Sequence, residues 1–382
     1  MPALQYTLSY WERESFLPDP DVAVIGSGLV GLAAAIHLKK IDPTLRVLVV
    51  ERGPLPVGAS TRNAGFACFG SLTELLDDLA HMSEDEVLGT VEKRWTGLQR
   101  LRALVGDESI DYYGHGGYEM FTEEEEDVFQ RCAERIPEFN QKIGAITGHP
   151  AGYRIVDERL ARFGFAGVRH LILNEPEGQV HTGKLMSTLL DKAREAGVQV
   201  INGVGITAVE DSSQGVELLT EYGWTLRARR ALVCVNGFAQ RLLPRLDVRP
   251  ARNHVLVTRP IEGLPVEGCF HYDRGYFYFR NIDGRILLGG GRNLDLEAEF
   301  TDSFDNNETI RAALLRLLRE VICPGRPVEI EHWWTGIMGL GPVKKPIVER
   351  ISPNLAVAVR LSGMGVAIGT LVGQEGAELV RV

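Results

Sequence analysis

Three glycines and an acid near the start of the chain have the types and spacing that could hold a dinucleotide. Gly26, Gly28 and Gly31 form a GxGxxG run, and Glu51 stands at the end of the next apolar stretch. In such a run the first glycine makes a tight turn, the second lets backbone amides approach a pyrophosphate, and the third lets helix and strand pack closely. Glu51 can accept hydrogen bonds from ribose hydroxyls, and its charge would repel a ribose phosphate, which argues against an NADP preference. After Arg52 the chain reads GASTRNAG over residues 58–65. Ser60, Thr61, Arg62 and Asn63 offer donors there, while Ala64 and Gly65 are small enough to lie against a ring or a pyrophosphate. Taken alone this run reads as a polar surface loop; joined to the glycine unit it reads as part of the cofactor site.

The elements that must position these residues are legible from periodicity. Residues 21–25 (DVAVI) are a short β-branched run that feeds the glycines, residues 29–40 (LVGLAAAIHLKK) carry good helix formers and end in two lysines, and Asp42-Pro43 breaks the helix. Residues 46–50 (RVLVV) supply a second strand, so the unit is βαβ. Residues 231–237 (ALVCVNG) are another short buried strand, ending at Asn236 and Gly237. Near the C-terminus, residues 354–359 (NLAVAV) suggest a strand, and the small-residue turn 362–369 precedes a final helix running to about Leu379.

The GAS-x-R-N-x-G stretch, together with the glycine unit and the C-terminal turn, resembles the D-amino-acid oxidase and glycine oxidase superfamily of FAD-dependent oxidoreductases. The resemblance implies an α/β chain: a Rossmann-like FAD-binding domain with a second, mainly antiparallel-sheet α+β substrate domain. It implies a discontinuous cofactor domain over residues 1–105, 150–245 and 330–382, with 106–149 and 246–329 forming the substrate domain. Aligned by eye, Ile206 falls where relatives meet adenine, and Asn236 and Gly237 where the turn closes near the dinucleotide. Gly363, Met364, Gly365, Val366, Ala367 and Ile368 match the turn whose helix N-terminus would face the flavin pyrimidine carbonyl and stabilise charge on the reduced ring.

The remaining blocks read as the substrate side. Residues 111–121 (DYYGHGGYEMF) suggest a strand pair, and Thr122 followed by four glutamates suggests a capped, acid-started helix. Alternation around a turn at 281–284 suggests a hairpin with Tyr276, Tyr278 and Arg280 on one face and Phe277 and Phe279 on the other. In relatives that face looks onto the substrate, so the two tyrosines and Arg280 are substrate candidates, as are Arg292 and Trp334; a surface aromatic ladder is the plainer alternative. Glycine-oxidase-like relatives carry a carboxylate-gripping arginine where this chain has Met338, which weakens the case for a free amino acid. Sarcosine-oxidase-like relatives carry a flavin-linking cysteine where this chain has none, so FAD should be held non-covalently. His254 and His271 are conceivable proton acceptors, with a structural role the simpler reading for each.

Composition narrows the classes further. The chain has 382 residues, of which 45% are hydrophobic and 24% charged, with a formal net charge of −10 and no basic run. These values fit a globular protein and disfavour nucleic acid as the partner. No stretch approaches the length of a membrane span and the first 20 residues lack the pattern of a secretory signal, so the cytoplasm is the expected location. Five cysteines lie far apart and nine histidines are dispersed, so neither disulfides nor a metal are expected. The combined expectation is an FAD-dependent enzyme that oxidises a C–N bond of an amine or amino acid by hydride transfer to the flavin, giving an imine that hydrolyses. Its partners would be a small-molecule substrate and oxygen or another electron acceptor. Two other readings stand beside it: a 2-hydroxy-acid oxidase or dehydrogenase, and a flavin-bearing subunit that passes electrons to a partner protein.

Overall fold

The computed structural model describes residues 6–17 and 19–382. A six-stranded sheet carries the glycine unit. Its order is Ile347–Ser352, Leu355–Val359, Arg230–Val233, Val22–Ile25, Val47–Glu51, Gln199–Asn202. All neighbours are parallel except the first pair. Its central strands are buried along their whole length, which explains their continuous Val/Ile/Leu/Ala runs. Helix Leu29–Ile41 crosses between the first two parallel strands and packs against the C-terminal helix Gly365–Leu379. A small antiparallel sheet, Ile206–Ser212, Gly215–Thr220 and Thr225–Ala228, covers the other face through Val216, Leu218 and Leu226.

The second body is an eight-stranded sheet in the order Ile330–Leu340, Arg249–Thr258, Arg285–Gly290, Phe277–Ile282, Cys269–Tyr272, Gly117–Thr122, Val168–Asn174, Tyr153–Ile155. It is antiparallel except between Cys269–Tyr272 and Gly117–Thr122, which run parallel. Phe277 and Phe279 point into an aromatic core with Phe270, Tyr118 and Phe163, so the opposite face of the hairpin is left for the cavity. The hairpin turn is tighter than the sequence suggests: Asn281 and Ile282 stay paired, and Asp283 (φ 48°) and Gly284 (φ 70°) make a two-residue turn.

Two expectations are corrected. Residues 111–121 contain one strand rather than a pair: Gly117–Thr122 pairs with Val168–Asn174, and Asp111 sits in a left-handed turn. The sheets also cut across the expected ranges. Tyr153–Ile155, Val168–Asn174 and Ile330–Leu340 all belong to the antiparallel sheet, although they fall within the stretches 150–245 and 330–382 expected in the cofactor domain. Their apolar runs carry no mark of which sheet they join, because sheet membership is decided by long-range pairing. The acid-started helix is present as Glu126–Thr147, preceded by a short 3-10 turn and a Thr122/Glu125 capping box.

Candidate active site

The carboxyl ends of Val22–Ile25, Val47–Glu51 and Arg230–Val233 open onto a cavity of about 770 Å3 that runs between the two sheets. This is where an open parallel sheet binds ligands. Gly26 (φ +105°) turns the chain out of the first strand, and Gly28 is the N-cap of helix Leu29–Ile41 and brings no side chain of its own to the helix end. At Gly31 an added Cβ would lie 2.0 Å from the Gly26 carbonyl oxygen, so helix and turn are in direct contact there.

The Ser60 loop closes over this turn. Its hydroxyl accepts the Leu29 N–H at 2.9 Å and would be 2.9 Å from a Cβ on Gly28. Glu51 is buried, and one of its oxygens accepts from the Ser27 N–H (3.1 Å) and hydroxyl (2.9 Å), the other from the Gly53 N–H (3.0 Å). A carboxylate has about four acceptor positions, so one is left for a ribose hydroxyl. Beside it Arg52 lies 3.8 Å over the Phe238 ring, and burial, followed by the Arg241 charge, lowers its pKa. A glycine-capped helix N-terminus, a buried acid at the end of the second strand and a glycine cradle are together the donor and acceptor set that a dinucleotide needs, so these residues fit FAD.

The structure sorts the remaining candidates. Arg62, Asn63, Ala64, Ile206, Asn236, Gly363, Met364, Gly365 and Val366 all line the cavity. Thr61, Gly65, Gly237, Ala367 and Ile368 do not. Gly65 is pressed against the Val180 carbonyl and Gly237 against that of Met338, so they shape the backbone from behind. Asn236, itself left-handed (φ 46°), accepts the backbone N–H groups of Arg360 and Leu361, tying the central strand's exit to the C-terminal turn. Arg62 lines the wall but donates to the Thr335 carbonyl at 2.8 Å and stacks on Phe304.

On the substrate side Tyr276, Tyr278 and Arg292 line the cavity, with the Arg292 guanidinium 5.5 Å from the Tyr276 ring centre. Two candidates are corrected. Arg280 is buried beneath the loop at 62–66, where it donates to the carbonyls of Ala64 and Val180. Alternation gives it the same face as Tyr278, but the loop covers that end of the strand. Trp334 points its N–H at the Arg62 carbonyl (3.0 Å) and does not line the cavity. Arg280 therefore anchors the loop at 62–66 that lines the cavity. Replacing it with alanine is expected to loosen FAD by roughly tenfold, since hydrogen bonds from a charged group contribute about 1.5–3 kcal/mol, and equilibrium rebinding of FAD to the stripped protein measures it.

Several wall residues carried no sequence signal. Asn253 lies in the wall with its Oδ1 buried and unpartnered, and its Nδ2 within 3.5 Å of the Tyr278 hydroxyl and the Met338 sulfur. Burial raises the Tyr278 pKa, so the phenol stays protonated. Glu74 and Lys344 form an ion pair at 3.1 Å. Burial pushes the Glu74 carboxyl up, but Arg94 and Lys344 outweigh it and hold it at about 2. His271 also faces the cavity, contrary to the structural role expected of it, and burial lowers its pKa to about 4. His254 is the structural one: it sits in the core within 3.2 Å of Glu299. The fold also brings Cys68, Glu177 and His271 together from places that sequence reading treated as dispersed.

A family model described as "FAD dependent oxidoreductase" matches residues 21–379. The chain is 28% identical to a "Probable oxidoreductase OrdL" of Rhizobium meliloti (strain 1021), over 94% of this chain and 82% of that one. It is 23% identical to the "Gamma-glutamylputrescine oxidoreductase" of Escherichia coli (strain K12), over 94% and 83%. Among solved structures, glycine oxidase from Geobacillus kaustophilus superposes with a TM-score of 0.74 at 22% identity, covering 94% of each chain. Among the described residues no helix is long and apolar enough to cross a membrane.

Proposed function

The chain belongs to the FAD-dependent oxidoreductase family, and from that premise we propose that it oxidises a C–N bond of an amine or amino acid, with FAD held non-covalently. When bound, FAD supplies a two-electron acceptor for the substrate's hydride, and the imine product hydrolyses in water. The observation that carries the reading is the buried, unpartnered Oδ1 of Asn253 in the cavity wall that Tyr276, Tyr278 and Met338 also line. A buried acceptor without a partner is costly, and an N–H of the substrate would satisfy it. The protonated Tyr278 hydroxyl can donate to a substrate acceptor. Met338 offers no grip for a carboxylate, which favours an amine without a carboxylate beside its nitrogen. The amine-type substrate named for the Escherichia coli relative points the same way. The five buried, unpaired cysteines suit a reducing compartment such as the cytoplasm.

His271 in the wall favours the second reading, oxidation of a 2-hydroxy acid, since that reaction needs a base beside the hydroxyl. Anaerobic mixing of the holoprotein with primary amines, secondary amines, amino acids and 2-hydroxy acids separates the two. Rapid bleaching of the flavin by an amine class is expected. Bleaching by 2-hydroxy acids alone would replace the first reading with the second. Reoxidation by air then tells oxidase from dehydrogenase.

A further inference from the structure

An amine reaches the chamber mostly as its ammonium form and must lose a proton before it can give up hydride. We propose that His271 takes that proton and passes it to Glu177, which lies behind the chamber wall. This rests on the amine reading above. The sulfur of Cys68, a carboxylate oxygen of Glu177 and a ring nitrogen of His271 all lie within 4.8 Å of one another. Cys68 and His271 line the chamber, whereas Glu177 lines a small second pocket that His271 also borders. His271 is thus the wall between the two spaces. Its Nε2 is buried with no hydrogen-bond partner, and its Nδ1 lies on the side of Gly275, which borders the chamber.

In the step, an N–H bond of the ammonium breaks and its proton goes to Nδ1 of His271 as the ring closes on Glu177 and the Nε2 proton goes to a carboxylate oxygen there; in the structure the two groups lie within 4.8 Å without a hydrogen bond between them, so the gap must close for the transfer. The electron pair stays on the substrate nitrogen, no electron leaves, and a neutral amine results. The ring never carries a lasting charge, which suits a histidine that burial keeps neutral at pH 7. Glu177 is able to receive the proton near neutral pH: burial raises its carboxyl to about 7 despite the Phe69 and Gly70 N–H groups it accepts. Among the described residues no cation is paired with it to undo this. Lys344 pairs with Glu74 and Asp78, Arg94 pairs with Glu74, and Arg280 is committed to backbone carbonyls. The remaining groups around it are acidic or neutral. Glu119 adds to the upward shift, Tyr112 and Tyr153 stay protonated, and the buried thiols of Cys68 and Cys269 lie alongside.

The test is the pH dependence of anaerobic flavin bleaching by the amine that the panel identifies. The carboxylate is the accepting form, so the wild-type limiting rate should rise with pH through about 7. Glu177→Gln keeps the shape and the two accepted N–H groups. It should bleach about 100-fold more slowly and lose that inflection, rising only toward the amine's own ionisation. His271→Gln, with Glu177 intact, should lose the same inflection. Flavin content and spectrum of each variant report that the chamber is built. An inflection near 7 that survives in either flavin-replete variant overturns the proposal, as does an equivalent of zinc retained by the wild type and lost from Cys68→Ser, since a metal would occupy the same atoms. If no amine bleaches the wild type, it is the amine reading that has failed; bleaching that is indifferent to both substitutions removes only the proton path.

Discussion

A Gly31→Ala protein should be recovered without its flavin. The added methyl carbon would lie 2.0 Å from the Gly26 carbonyl oxygen and 3.3 Å from a Val24 methyl. Neither can retreat, because the Gly26 N–H is held by the Val50 carbonyl at 2.8 Å and Val24 lies in a central, fully buried strand. The helix must lift instead, and it is also locked from behind: Gly373 of the C-terminal helix would place a Cβ 2.5 Å from the Val30 carbonyl. Overpacking of this kind costs about 1–3 kcal/mol or more, and displacement of the helix N-terminus removes the amides that face the phosphates. We expect FAD affinity to fall by more than about 100-fold, read as the flavin-to-protein absorbance ratio and as FAD released by acid. Gly89→Ala, at a helical site with nothing within 4 Å, should keep its full flavin complement. Equal flavin content in the two variants would show that the turn does not hold the cofactor.

Glu299→Ala should cost about 3–5 kcal/mol of stability, the usual penalty for leaving a buried charge without its partner. Glu299 is 1% exposed and sits in the segment between Arg292, which lines the cavity, and Phe304, which stacks on Arg62. It accepts from Arg252 Nε at 3.0 Å and Nη2 at 2.7 Å, and from Asn307 Nδ2 at 3.0 Å. His254 Nε2 lies 3.2 Å away, though not aligned for a hydrogen bond. Without the carboxylate, the Arg252 guanidinium is stranded in the core, and the strap over Arg62 and Phe238 loses its inner anchor. Chemical denaturation of the holoprotein measures the loss. Pairing the change as Arg252→Met with Glu299→Leu should recover most of it, because an apolar pair leaves no orphaned charge. A double variant as unstable as the single one would place the cost in packing instead.

What the sequence by itself determined is the part of the site whose requirements are local. A turn at Gly26, a bare helix start at Gly28 and an acid at the end of the following strand sit within one βαβ unit. Its residue types and spacing carry the whole geometric demand, so the strands and helix there begin and end within about a residue of where the pattern puts them. The C-terminal turn and helix are legible for the same reason: a β-branched strand, small residues and an uninterrupted helix follow one another in the chain.

Tertiary structure alone decided the far wall of the cavity. Asn253, Glu74, Lys344 and His271 lie far apart in the chain and meet only because strands from 117–122, 249–258, 269–272 and 330–340 share one sheet. Period-two alternation places Tyr278 and Arg280 on the same face, and it cannot say that the loop at 62–66 covers one and leaves the other open. Histidine, asparagine and cysteine have no periodic signature, so their burial, their orphaned atoms and their shifted proton affinities arise only when distant segments close around them. A local pattern specifies where the cofactor's phosphates can rest; the identity of the groups that face the substrate is a property of strand pairing, which is set by contacts between residues that the sequence keeps apart.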